Sequence, residues 1–266
     1  MTHDPTNERD TGPAPLRGAP APMVMLHGFT QNHRCLGPLR DEVALRRPVI
    51  NPDLPGHGSS ADAAALSIVE TADLLVGRTG ATEASMHWFG YSMGGRVALR
   101  LALDHPEAVR SLVLLAATAG ISDAAERSER ALLDDERAQR VESVGVEQFC
   151  SEWLDAPMFA ALPDWARFTS ERHANTAVGL AGSLRNAGTG SMEPLWDRLP
   201  SLEAEVLLLS GALDQKFTEV ATDMAEAIGP NARVTTIDGA GHAAHLEAPE
   251  ATARVVLDFL SALDGA

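Results

Sequence analysis

Gly90-Tyr91-Ser92-Met93-Gly94 lies between an apolar run that ends at Phe89 and a helical pattern that begins at Met93, and no other stretch constrains the chain as tightly. Glycines two positions either side of a serine let backbone segments pass closely while the serine is held in a strained turn. Its oxygen is then exposed at a strand end, beside the amide N–H groups and positive dipole end of the following helix. Such a turn needs a strand–helix unit to hold it. Gly-x-Ser-x-Gly is also a common chance turn, so partners elsewhere in the chain decide its meaning.

The flanking sequence repeats the unit. Short apolar runs bounded by Pro and Gly predict strands over residues 21–26, 48–53, 84–89, 109–117, 205–210 and 232–237. Helical spacing covers 67–76, 93–103 and 247–263. This alternation predicts an α/β fold whose sheet is mostly parallel and flanked by helices. Residues 118–199 differ: charged and Ala residues at helical spacing replace the apolar runs, which predicts an inserted helical cap. The core domain would then comprise 21–117 and 200–266. The aromatic residues of the cap are expected mainly to pack it onto that core. Residues 1–20 are polar, rich in Pro and Gly, and without the apolar centre of a secretory signal, so a disordered tail on a cytoplasmic protein is expected.

A net charge of -16 argues against nucleic acid as a partner, and no apolar run is long enough for membrane insertion. Cys35 and Cys150 lie far apart without metal-ligand spacing, so neither a disulfide nor a metal site is expected. The sequence leaves oligomeric state open.

Two later loops supply partners for the serine. Asp214 follows the strand 205–210, and His242 follows the last strand in Asp238-Gly239-Ala240-Gly241-His242. Serine, acid, histidine is the chain order of the α/β-hydrolase triad. A serine hydroxyl is a poor base or nucleophile at neutral pH; His242 would take its proton while Asp214 fixes the imidazole tautomer. Asp238 competes for the acid role and His245 for that of the histidine. Asp214 is favoured by its distance from a strand end, and His242 by its flexible glycine approach. His27, Asp53 and His57 sit in tight turns, where hydrogen bonds to backbone are the favoured reading. Serine in place of a carboxylate at position 92 excludes the alkyl-ester chemistry that opens epoxides or removes halides.

Arg96, four residues after Ser92, shares its helix face. A cation in a first helical turn is opposed by the helix dipole by about 0.3–1 kcal/mol. Either a carboxylate such as Asp53 offsets this or an anionic substrate does.

From about residue 23 to 260 the chain resembles the 2-succinyl-6-hydroxy-2,4-cyclohexadiene-1-carboxylate synthases of menaquinone biosynthesis, members of the α/β-hydrolase superfamily. LHGF at 26–29, DLPGHG at 53–58, GYSMGGRVA at 90–98 and AGHAAHLE at 240–247 carry the likeness. ERSER at 126–130, Trp153 with Pro157 and Phe159, and Asp214-x-Lys216-Phe217 carry it more specifically. The resemblance implies a cofactor-independent elimination of pyruvate from a small anionic polycarboxylate, with Ser92 acting as base. It also implies substrate contacts at Tyr91, Arg96, Arg130, Trp153 and Arg172, and an oxyanion hole formed by the N–H groups of Phe29 and Met93. Gln31 stands where many members have glycine. Hydrolysis of an ester or a vinylogous carbon–carbon bond by the same triad is the alternative, and a non-enzymatic ligand receptor on this fold is a third.

Overall fold

The computed structural model describes residues 20–82 and 84–264, so the tail expected over 1–20 lies, apart from Pro20, outside the described residues. Strands and helices alternate: β1 (Met23–Leu26), α1 (Gly37–Ala44), β2 (Val49–Ile50), α2 (Ile68–Thr79), β3 (Met86–Tyr91), α3 (Met93–Asp104) and β4 (Val109–Leu115). Then come α4 (Ala124–Leu154), α5 (Thr169–His173) and α6 (Ala177–Ala187). The second half of the sheet follows as β5 (Glu205–Gly211), α7 (Gln215–Ile228) and β6 (Ala232–Ile237), before α8 (Ala244–Glu247) and α9 (Pro249–Asp264).

The six strands form one parallel sheet in the order β2-β1-β3-β4-β5-β6. Chain direction across the sheet reverses between β1 and β3, and a crevice opens at such a switch point beyond the strand ends. Both faces are covered, as a parallel sheet requires. Val24 and Leu26 of β1, Trp88 of β3 and Leu208 of β5 pack one way with α2 and α3. Met23, Met25, Phe89, Tyr91 and Leu209 pack the other way with α1 and α9.

Departures from the sequence-based expectations have local causes. β2 is only two residues long, because Pro48 and Pro52 offer no N–H to a ladder. β3 runs on to Tyr91, and the Ser92 N–H still reaches Leu115 O at 2.9 Å, so the sheet delivers the serine directly. The helix expected over 247–263 begins only at Pro249, and Glu247 ends a separate short helix, since Pro249 disfavours helical geometry at Ala248, which adopts φ -140° and ψ 63°.

Helices α4, α5 and α6 lie within 118–199. Ala138, Val141, Phe149 and Cys150 of α4 meet Leu180, Ala181 and Leu184 of α6 in a cluster separate from the sheet cores. Gly145, at φ 81°, breaks α4 and lets its two halves change direction over the strand ends.

Candidate active site

The elbow is held by backbone contact. Ser92 adopts φ 52° and ψ -109°, strain on the order of 1–3 kcal/mol that its surroundings must impose. A Cβ on Gly94 would come 2.5 Å from the carbonyl oxygens of both Leu26 and His27, and one on Gly95 would come 2.5 Å from the Ala117 Cβ. The start of α3 is thus pressed against the end of β1. Gly94→Ala is expected to cost about 1–3 kcal/mol by overpacking against rigid backbone, read as a lowered urea midpoint. An unchanged midpoint would mean that this junction yields.

Asp214 and His242 reach the serine from neighbouring loops. Leu213 N–H donates to Ala240 O at 2.8 Å and Ala212 N–H to Ile237 O at 2.9 Å, which ties the two loops together. His242 Nδ1 lies 2.6 Å from Asp214 Oδ2, and Nε2 lies 3.4 Å from Ser92 Oγ. Asp214 also caps α7, its Oδ1 accepting from the Phe217 N–H at 3.4 Å, so capping and orientation of the imidazole coexist. Phe217 packs 4.7 Å from the His242 ring. Asp238 and His245 take no part in this pairing. His245 is fully buried against Tyr91, 4.3 Å between rings.

From sequence Glu247 reads only as the end of AGHAAHLE and the first residue of the expected amphipathic helix, with no role of its own. Its carboxylate accepts from the N–H groups of Gly241 and Ala243, on either side of His242. It fixes the loop that presents the imidazole. The legible signal is a carboxylate five residues after the histidine, on a helix one turn long.

A cleft of about 530 Å³ opens above Ser92, between the strand ends and the cap. Ser92, His242, Asp214, Phe29 and Met93 line its floor, with Arg96, Arg130 and Trp153 on its walls. Among the described residues, the Phe29 and Met93 amides donate to no other backbone group. They are therefore open to an oxyanion. The Trp153 indole N–H is buried and likewise unpartnered among the described residues.

Arg96 does not pair with Asp53. Its Nη1 donates to Ala187 O at 2.6 Å, which links α3 to the end of α6, and the guanidinium remains in the cleft wall. Burial, then the proximity of Arg130, pulls its pKa down to about 10, still charged at neutral pH. Arg130 donates to Asp134 at 2.8 Å.

Asp53 instead accepts from the N–H groups of His33 at 2.6 Å and Ser59 at 2.7 Å, bracing the loop after β2. His27 Nε2 accepts from the Leu54 N–H at 3.0 Å, and His57 is buried on the Pro55 carbonyl, so these turn residues are structural.

Two sequence-derived substrate contacts lie elsewhere. Tyr91 is buried below the cleft, where a Cβ on Gly28 would meet its ring at 2.6 Å. Arg172, 1% exposed, donates to Thr30 Oγ1 and to Arg167 O. Asn175 adds a bond to Thr30 O at 2.7 Å. This pair ties the cap to the loop that carries Phe29, and Arg172 lines no part of the cleft. Gln31 accepts from the Gly28 N–H at 3.1 Å and closes the same loop.

No helix among the described residues is long and apolar enough to cross a membrane. The Alpha/beta hydrolase family model matches residues 23–255. A Bacillus subtilis protein provisionally named 2-succinyl-6-hydroxy-2,4-cyclohexadiene-1-carboxylate synthase is 33% identical over 96% of this chain and 94% of its own. An Enterobacter protein of the same name is 30% identical over 90% of this chain and 91% of its own. Among solved structures, MenH from S. aureus superposes with a TM-score of 0.84 at 32% identity, covering 92% of this chain and 95% of that one. A thermophilic esterase from Thermogutta terrifontis reaches 0.81 at 24% identity, over 92% of this chain and 91% of its own, a likeness of fold alone.

Proposed function

We propose that this chain, which belongs to the alpha/beta hydrolase family and within it to the 2-succinyl-6-hydroxy-2,4-cyclohexadiene-1-carboxylate synthases, makes that product of menaquinone biosynthesis by eliminating pyruvate from 2-succinyl-5-enolpyruvyl-6-hydroxy-3-cyclohexene-1-carboxylate. The observation that carries the reading is a cleft in which Arg96 and Arg130 stand beside Ser92 and His242.

The reaction follows from the bonds that change. A proton leaves ring C2, alpha to the succinyl carbonyl. A C2–C3 double bond forms in conjugation with that carbonyl, the C3–C4 double bond moves to C4–C5, and the C5–O bond breaks to release the enolate of pyruvate. Ser92 takes the proton, having given its own to His242, and Asp214 stabilises the imidazolium that results. Negative charge moves onto the succinyl oxygen as the C–H bond breaks, where the Phe29 and Met93 N–H groups would meet it. The proton on His242 then passes to the departing enolate or to water, restoring the triad. No acyl-enzyme is required.

Cations in the wall have a separate task. A protein of net charge -16 repels anions at long range, so clustered arginines in a water-poor cleft must reverse the sign locally. The substrate is then a small polycarboxylate held by Arg96 and Arg130, with the free indole N–H of Trp153 as a further donor.

The test is pyruvate release from the enolpyruvyl substrate, followed with a coupled assay. Arg96→Ala is expected to lower kcat/KM for elimination about 10–100-fold, the size of one charge-assisted contact, while hydrolysis of a small neutral ester changes little. Equal losses in both reactions would count against the anion site. Ester turnover without pyruvate formation would replace the lyase reading with a hydrolase.

A further inference from the structure

Resting on the proposed elimination, we infer that Arg137 is a specificity-determining residue: it completes a three-guanidinium site with Arg96 and Arg130 that fits two carboxylates of one substrate. The geometry starts from α4. Arg130, Asp134 and Arg137 fall at i, i+4 and i+7, on one helix face, and all three line the cleft above Ser92.

Asp134 is the hub. Its side chain is 2% exposed, and a single oxygen, Oδ1, takes both Arg130 Nε at 2.8 Å and Arg137 Nη1 at 3.4 Å. Its other oxygen accepts from the Gly190 N–H at 3.2 Å. Arg96 approaches the same group, near enough to feel both Arg130 and Asp134. Two guanidinium groups therefore pair with one buried carboxylate while the third, Arg96, bonds a neutral carbonyl, leaving about two positive charges uncompensated in the cleft wall. Like charges held together out of water repel, and a ligand bringing two carboxylates removes that repulsion.

Arg137 is the member of this set with the longest contact, against 2.6 Å for Arg96 to Ala187 O and 2.8 Å for Arg130 to Asp134. Its contact with Asp134 is long, its side chain is a third exposed, and its guanidinium lies 5.6 Å from the Trp153 ring centroid. The guanidinium and the unpartnered Trp153 N–H are thus two donors on one stretch of wall, both available to a carboxylate. Arg140, which also borders the cleft, provides the contrast. It is closed in a bidentate pair with Glu152, at 3.0 and 2.6 Å, and has no comparable charge to offer.

The experiment compares Arg137→Ala and Arg140→Ala with the wild type in two assays. In the first, pyruvate release, Arg137→Ala should raise KM at least about 10-fold and leave kcat within about 3-fold, while Arg140→Ala stays within about 2-fold in both. In the second, calorimetry with succinate and with acetate as probes, the wild type should prefer the dicarboxylate at least about 10-fold, and Arg137→Ala should lose most of that preference. Arg137→Lys, which keeps the charge but not the fork, should recover part of it. Arg137→Gln, with melting followed by circular dichroism, separates an unfolded variant from a binding defect. If Arg137→Ala and Arg137→Gln match Arg140→Ala in KM and in succinate preference, the inference is overturned. Absence of pyruvate from the wild type would overturn the elimination instead; a succinate preference lost on changing Arg137 would still support the two-carboxylate site.

Discussion

Ser92→Ala is expected to lower kcat for pyruvate formation by about 10³–10⁵-fold, with KM within a few-fold of the wild type, because the groups that act as a unit in a triad fail together. The distances motivate this. His242 sits 3.4 Å from Ser92 Oγ and 2.6 Å from Asp214, so the imidazole is oriented toward the serine that would carry the proton. Binding is left alone because the cationic wall is built from α3 and α4, not from the serine side chain. The fold should survive as well: alanine at φ 52° bears the same steric cost as serine, and the glycine contacts that impose the turn are untouched. His242→Ala should be as severe, and the double variant no worse than either single one. The same experiment separates a base from a nucleophile. Intact mass spectrometry of quenched wild-type turnover should show no adduct on Ser92; a covalent species would move the chemistry to acyl transfer.

What the sequence makes legible is what neighbours along the chain decide. The elbow is read correctly because Gly90, Gly94 and Gly95 act within a few residues of Ser92, and the α/β alternation because each strand and helix carries its own period. Arg96 is legible as a cleft residue for the same reason, one helical turn from the serine. Its partner is not: Ala187 O comes from the cap, 91 positions along the chain, whereas the carboxylate nearer in sequence, Asp53, is committed to His33 and Ser59. Arg172 follows the same rule. Its direction is set by Thr30, 142 residues away, and nothing around residue 172 announces it. Arg137 is hidden differently, since the dense charge of α4 reads as a solvated helix face until the cap is seen standing over Ser92. Local sequence thus locates the elbow and its candidate partners, while the packing of cap on sheet decides which arginines stand beside them.

Acidification from pH 6.5 to 4.5 is expected to remove most of the folding stability, because several histidines are buried in the neutral form. His27 shows why in its bonds: its Nδ1 lies 2.9 Å from the Gly28 carbonyl while Nε2 accepts from the Leu54 N–H, so only a neutral ring satisfies both. Burial pulls its pKa down to about 4, against 6.5 for a free ring. Burial likewise lowers His57 to about 3, with a further contribution from His27, and lowers His245 to about 3, helped by Arg172. The unfolded chain therefore binds protons between pH 6.5 and 4 that the folded chain does not, and stability falls as pH falls. Burial, with the nearby Arg47 charge, also lowers His87 to about 4. Each such histidine contributes about 1.4 kcal/mol per pH unit, so four across two units amount to at most about 11 kcal/mol, comparable with the whole stability of a typical domain. Asp53 adds to this lower down. Burial alone would raise its pKa, but the charge that His27 takes on below about pH 4 and the His33 and Ser59 amides outweigh that and hold it at about 2, so its contribution is lost only between pH 4 and 2. Urea denaturation across this range should give a slope of between about three and four protons between pH 6 and 5. His245→Leu should reduce the slope by about one proton, since that ring is packed on Tyr91 with both nitrogens unpartnered among the described residues and a leucine keeps the packing. A slope below one proton in the wild type would mean that these rings are charged and hydrated in the folded protein, and that the loops beneath the active site are open to water.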